Sequence, residues 1–145
     1  LSVREATLED LDALLELDAA CFARPWGPEA WREAVAGGEI VLVADTPARG
    51  LACANVIFEC CELRRIAVEP GARRSGLARS LLRAVIARAR RAGCERVQLE
   101  VAEGNVAACS LYRAHGFSSV GRRPGYYRNP PDAALLMDLV IVPKP

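Results

Sequence analysis

The sequence predicts one mixed α/β sheet with helices on both faces, in a single domain over residues 1–145. Its 145 residues, 52% hydrophobic and 26% charged, can bury one sizeable core but not two. β-rich runs and helical stripes are mixed without the regular alternation of an all-parallel sheet. Repeats, linkers and low-complexity tracts are absent, and no apolar run approaches the ~20 residues of a membrane span.

Residues 2–4 read as a short strand. Thr7-Leu-Glu-Asp10 is a capping-box-like start, its hydroxyl and carboxylate able to satisfy orphan amides, and Leu11, Leu14 and Leu15 follow at helical spacing. Cys21-Phe-Ala-Arg-Pro-Trp26 interrupts the pattern; Pro28 suits the first turn of a second helix ending at Gly37-Gly38. Residues 40–44 and 51–58 are β-rich and joined by a hairpin turn at 46–50. Residues 63–68 form a central strand, stopped by Pro70-Gly71. Leu81, Leu82, Val85, Ile86 and Ala89 make one apolar stripe of a helix over 76–92, which Gly93 closes. Over 96–101 the pattern alternates, with Val97, Leu99 and Val101 facing one way and Gln98 and Glu100 the other. Asn105 caps a helix through His115, and Gly116 ends it. Residues 117–121 and 134–142 close the sheet around a Tyr126-Tyr127 loop.

The net charge of +1 conceals a polarised chain. Residues 1–63 hold 12 acids and 4 bases, whereas 64–96 hold 10 arginines against Glu69 and Glu95. Such a block implies a local anionic partner. It does not imply nucleic acid: Arg79, Arg83 and Arg90 share a helical face, but there is no recognition-helix motif and no basic overall balance. Six cysteines (Cys21, Cys53, Cys60, Cys61, Cys94, Cys109) form no C-x-x-C, and His115 is the only histidine, so no metal site is expected. Five of the six sit in apolar surroundings as small hydrophobes, which fits a reduced, cytoplasmic protein. No basic-then-apolar leader opens the sequence, so neither secretion nor a membrane partner is expected.

Arg73-Arg-Ser-Gly-Leu-Ala78 lies between a strand and the long helix. A glycine there lets backbone approach a ligand closely, and successive amides at a helix N-terminus favour an anion. Arg73, Arg74 and Arg79 add charge complementary to phosphate. The loop lacks the Gly-Lys-Ser/Thr ending of a Walker loop and is not G-x-G-x-x-G.

An R-x-x-G-x-A pattern after Arg65-Ile-Ala-Val-Glu-Pro70 resembles the coenzyme A pyrophosphate loop of the GNAT N-acetyltransferases. Phe22-Ala-Arg-Pro-Trp26, Ile66-Ala-Val68, Leu99-Glu-Val101, Asn105, Leu111-Tyr112, Gly116-Phe117 and Tyr126-Tyr127 follow the family's order and intervals. The set is most similar to the RimI type, which acetylates the N-terminal alanine of a small-subunit ribosomal protein. The resemblance implies a splayed, mostly antiparallel mixed sheet gripping acetyl-CoA. Backbone of Ile66, Ala67 and Val68 would pair with the pantetheine arm as an added strand. Arg73 and the amides of Arg74, Ser75, Gly76, Leu77, Ala78 and Arg79 would hold the pyrophosphate, and Asn105 would touch the cofactor beyond its capping role.

Acetyl transfer needs a neutral amine, yet a peptide α-amine with a pKa of about 8 is largely protonated at pH 7. A base must take one proton, and an acid should return one to the departing thiolate. Glu100 stands where RimI-type enzymes carry their base, although alternation alone equally allows a solvated side chain. Tyr112 lies seven residues, nearly two turns, beyond Asn105. Its family position implies the acid; a helical tyrosine is otherwise a core aromatic. Glu62 and Glu103 are weaker carboxylate candidates. Cys109 and His115, six residues apart, lie off a common helical face, which argues against a thiol acyl-enzyme.

Trp26, Tyr126 and Tyr127 would flank the peptide entrance. The implied activity is acetylation of a protein N-terminus, that of a ribosomal protein in the RimI-like reading, by a monomer or weak homodimer. The alternatives are acetylation of a small amine or lysine side chain, and a non-catalytic acyl-CoA-binding module. Three positions depart from the RimI pattern: Gly27 for a common Ser cap, Arg65 for a small or amide residue, and Arg128 for a proline. They bear on peptide preference, not on acetyl transfer.

Overall fold

In the computed structural model, which describes residues 2–141, these patterns become seven strands and four helices. In chain order they are β1 (Val3–Glu5), α1 (Leu11–Cys21), α2 (Pro28–Ala36), β2 (Ile40–Ala44), β3 (Gly50–Ile57) and β4 (Cys60–Val68). Then come α3 (Leu77–Arg91), β5 (Arg96–Ala102), α4 (Val106–Ala114), β6 (Ser118–Arg128) and β7 (Pro131–Val140). The strands make one sheet in the order β1-β2-β3-β4-β5-β7-β6, antiparallel except for the parallel β4–β5 pair. The expected mixed, mostly antiparallel sheet is thus observed. The expected end of the last strand, at 142, lies outside the described residues.

Both faces are covered, as the apolar pattern demands. On one face α1 and α2 pack Leu14, Leu17, Trp31 and Ala34 against Val41, Val43, Leu51 and Cys53. On the other, the α3 stripe of Leu81, Leu82, Val85, Ile86 and Ala89, with Cys109 and Tyr112 of α4, packs against Leu42, Leu63, Val97, Leu99 and Met137. β2 is buried at all five positions because its alternate residues serve opposite cores. At the head of α1, the Asp10 carboxylate accepts the Thr7 N–H at 2.8 Å and the Arg4 fork at 2.8 Å on each oxygen. That is the expected capping chemistry, delivered through a 3-10 turn at Leu8–Asp10.

Two expectations need correction. β4 starts at Cys60, earlier than 63, and carries a bulge: Ala54 opposes Leu63 and Cys53 opposes Arg65, leaving Arg64 as the extra residue. Tyr126 and Tyr127 do not form a loop; they lie within β6. Pro124 and Gly125 suggest a turn in sequence, but here they sit in a register irregularity between Arg123 and Tyr127, with Gly125 at φ +62°. β6 is the sheet's edge strand, where a proline breaks no ladder.

The β4–β5 pair matters most for function. Its pairing runs from Cys60 opposite Arg96 to Leu63 opposite Leu99 and then stops. Beyond that point β4 stays with β3, and β5 with β7, so the sheet splits.

All six cysteines are free. Among the described residues no group of His, Cys, Asp or Glu is placed to hold a metal, and no helix is long and apolar enough to cross a membrane.

Candidate active site

Two cavities open along the split. The first, about 650 Å³, lies between the far half of β4, the loop before α3, and α4. Ile66, Ala67 and Val68 form one wall, Asn105, Leu111 and Tyr112 another, and Arg73, Arg74, Gly76, Leu77, Ala78 and Arg79 the end. The sequence-predicted cofactor set therefore converges on one groove. Ser75 is the exception, for its hydroxyl turns back to the Ala72 carbonyl and braces the loop. Arg74 at φ +66° and Gly76 at φ +86° curl the chain tightly before α3. No side chain caps α3, so the free amides of its first turn remain for a ligand. These amides and three arginines make that end suited to a diphosphate. Along Ile66–Val68 the β5-facing backbone edge has no strand partner among the described residues, which suits an extended amide-bearing arm.

Asn105 does what its sequence position suggested. Its Oδ1 accepts the Ala108 N–H at 3.2 Å, capping α4, and the residue also lines the groove. Tyr112 projects from α4 into the same cavity while packing on Phe117, ring centroids 5.7 Å apart. Burial first, and Cys109 second, push its hydroxyl up to about 12.

The second cavity, about 800 Å³, opens on the α1–α2 face. Here α1 and α2 leave β5 uncovered, so Gln98 and Glu100 meet a cavity instead of a helix. Glu62, Trp26, Tyr126 and Tyr127 join them. Glu100 lies 3.9 Å from Arg123, whose guanidinium also sits 5.7 Å over Tyr126. Burial, then the Glu100 charge, raises the Tyr127 hydroxyl above its usual value. All three predicted acceptor-side aromatics thus meet the predicted base in one cavity, while the predicted acid lines the other. Phe22 lines both.

The remaining candidates separate. Glu62 lines the second cavity. Glu103 is gripped by the Arg122 fork at 2.8 and 3.0 Å, which holds its carboxyl below the usual range. The Cys109 thiol faces the Ala102 carbonyl, and the His115 Nδ1 faces the Leu111 carbonyl at 2.8 Å, so the two are tied to different backbone atoms. The sequence marked Arg65 only as a departure bearing on peptide preference, and did not single out Phe22, Arg64 or Arg123 as site residues. For Phe22 a signal existed, since it opens the segment that ends at Trp26. The placement of the three arginines depends on the β4 bulge and the β6 irregularity, which only strand pairing fixes.

Comparisons with known proteins agree with this geometry. A model of the acetyltransferase (GNAT) family matches residues 11–117. The ribosomal protein bS18-alanine N-acetyltransferase of Escherichia coli K12 is 32% identical over 122 residues, covering 81% of each chain. The N-alpha-acetyltransferase RimI of Mycobacterium tuberculosis is 34% identical over 141 residues, covering 88% of this chain and 85% of that one. The crystal structure of the Escherichia coli ribosomal-protein-S18-alanine N-acetyltransferase superposes with a TM-score of 0.88 at 26% identity, over 99% of this chain and 96% of the other.

Proposed function

The chain belongs to the GNAT acetyltransferase family, and from that premise we propose that it transfers the acetyl group of acetyl-CoA to the α-amine of a protein N-terminus, that of an alanine in a small-subunit ribosomal protein. One observation carries the reading: two cavities share Phe22 in their walls, one with a lining suited to a diphosphate and an extended arm, the other with carboxylates and aromatics suited to an amine. The activities of the bS18-alanine N-acetyltransferase and N-alpha-acetyltransferase relatives support the acceptor class.

In this reading acetyl-CoA lies along β4 with its phosphates at the α3 N-terminus and its thioester at the split. The acceptor enters between Trp26 and Tyr126-Tyr127, where Glu62 and Glu100 attract an ammonium group. Glu100 takes a proton, and the neutral amine attacks the thioester carbonyl. A C–N bond forms, the C–S bond breaks, and Tyr112 supplies a proton or hydrogen bond to the leaving sulfur. The amine loses two protons overall; the thiol keeps one and solvent receives the other. No step needs a metal.

The test is acetyl-CoA turnover with three acceptors: an alanine-terminated peptide, an N-blocked peptide containing lysine, and a polyamine. Turnover of the first is expected. Turnover confined to the other two would show a side-chain or small-amine acetyltransferase, and tight acetyl-CoA binding without turnover a binding module.

A further inference from the structure

The bulge at Arg64 presents two consecutive arginines to the α1–α2 face, where simple alternation would send one into the opposite core. Arg65 is mostly buried there, its side chain 13% exposed. It pairs with Asp18 of α1, the one carboxylate at 0% exposure among the described residues. Asp18 also accepts the Trp26 N–H at 2.6 Å and the Trp31 indole N–H at 2.9 Å. The other Arg65 terminal nitrogen donates to the Arg24 carbonyl at 2.8 Å. The guanidinium lies 4.3 Å from the Phe22 ring centroid and 4.6 Å from that of Trp26. Arg64, itself held by Glu39 at 2.8 Å, covers Trp26 at 4.3 Å.

Residues 22–27, the link between α1 and α2, contain no helix or strand. Arg65 therefore ties this irregular segment to the sheet by charge, by a carbonyl hydrogen bond and by stacking. A buried ion pair is a poor source of stability, because desolvation offsets most of the attraction and apolar residues do as well. Its value lies in holding one geometry, and only the planar fork of arginine can reach a carboxylate and a carbonyl while stacking on two rings. Of the rings it holds, Trp26 lines the second cavity alone, and Phe22 lines both.

We propose that Arg65 is a positioning residue for the acceptor: through Asp18, the Arg24 carbonyl and the Phe22 and Trp26 rings, it fixes the α1–α2 link as a wall of the second cavity. The proposal rests on reading that cavity as the acceptor site. Arg65 reaches the first cavity only through Phe22, at its near end; the phosphate end is built from other elements, so the main hold on the cofactor lies outside its reach.

The test uses the full chain with Arg65→Lys, which keeps a charge opposite Asp18 but loses the fork and the stack. Tryptophan quenching by acrylamide should rise about twofold as Trp26 loosens, since Trp31 is fully buried. The KM for an alanine-terminated peptide should rise about tenfold, while acetyl-CoA affinity stays within about twofold. Trp26→Leu leaves the Asp18–Arg65 pair intact and should raise the same KM. Because both act through one wall, the double variant should be no more than about twofold worse than Trp26→Leu alone.

Unchanged quenching in folded Arg65→Lys overturns the proposal whatever the wild type acetylates; a wild type that acetylates no peptide is instead the failure of the functional reading. An unchanged acceptor KM in either variant, a parallel loss of acetyl-CoA affinity, or effects that multiply in the double variant overturn it as well.

Discussion

Leu63 and Leu99 are the last residues that β4 and β5 share in parallel register, and one position later Glu100 lines a cavity. Each strand keeps its outer partner, so the split needs no broken ladder on either side. What it leaves, among the described residues, is a backbone edge on β4 without a strand partner, which suits a ligand. A cofactor with amides along its arm can pair with this edge and place its thioester at the opening. In the proposed mechanism Glu100 then approaches from one cavity and the Tyr112 hydroxyl from the other, so the topology would keep proton removal and proton return apart.

Replacing Glu100 with Gln keeps its size and removes the base. In the proposed mechanism kcat falls about 100-fold at pH 7. Acetyl-CoA affinity holds, because Glu100 lines only the second cavity. An α-amine with a pKa of about 8 loses its proton unaided at higher pH, so the deficit should shrink towards pH 9. A pH–rate profile decides: a constant deficit from pH 6 to 9 would exclude Glu100 as the base.

Tyr112 has a different signature. Burial pushes its hydroxyl up to about 12, so it stays protonated across the working range. An ordinary thiol has a pKa of about 8.5, and outright proton transfer from Tyr112 to a thiolate runs uphill by about 5 kcal/mol. A hydrogen bond that strengthens as sulfur gains charge fits better. Tyr112→Phe should lower kcat about 10- to 100-fold and leave acetyl-CoA affinity within about twofold. A wild-type alkaline limb centred near 10 that vanishes in Tyr112→Phe would contradict the raised value.

The helices and the loop before α3 were legible because their signals are local. The α3 stripe has helical period, Asn105 caps its own helix, and residues 73–78 sit where a strand hands over to a helix. The β4 bulge was not read: the consecutive Arg64 and Arg65 interrupt the alternation, but only pairing with β3 shows that the interruption is an extra residue. Nor was the placement of Tyr126 and Tyr127, because Pro124-Gly125 signals a turn unless the edge position of β6 is known. Phe22 comes to line both cavities only through the tertiary fold, and Arg123 reaches Glu100 from 23 residues away in sequence.

Asp10 links the head of α1 to β1. The Arg4 fork foremost, helped by the Thr7 N–H, holds its carboxyl below the usual range. A depressed carboxylate adds stability that is present above its unfolded pKa of about 3.9 and is lost as pH falls through the folded value. Asp10→Asn should cost about 1 kcal/mol at pH 7. The gap between wild type and variant should narrow below about pH 4. Denaturant titrations at both pH values measure it; an equal gap at each would show that the Asp10 charge contributes nothing.

The thiols offer a check on the first cavity that needs no turnover. Cys53, Cys61, Cys94 and Cys109 are buried, and burial pushes the Cys53 and Cys61 thiols up to about 12. Their thiolate fraction at pH 8 is then about one in ten thousand, too small for rapid alkylation. Cys21 and Cys60 are partly exposed, but Cys60 is itself raised, chiefly by burial. Cys21 lines the first cavity with its thiol 3.4 Å from the Val68 carbonyl. Iodoacetamide at pH 8 should therefore modify Cys21 first, as read by peptide mass spectrometry, and acetyl-CoA should protect it while leaving the Cys60 rate unchanged. Equal labelling of Cys21 with and without saturating acetyl-CoA would mean that the cofactor does not lie along β4.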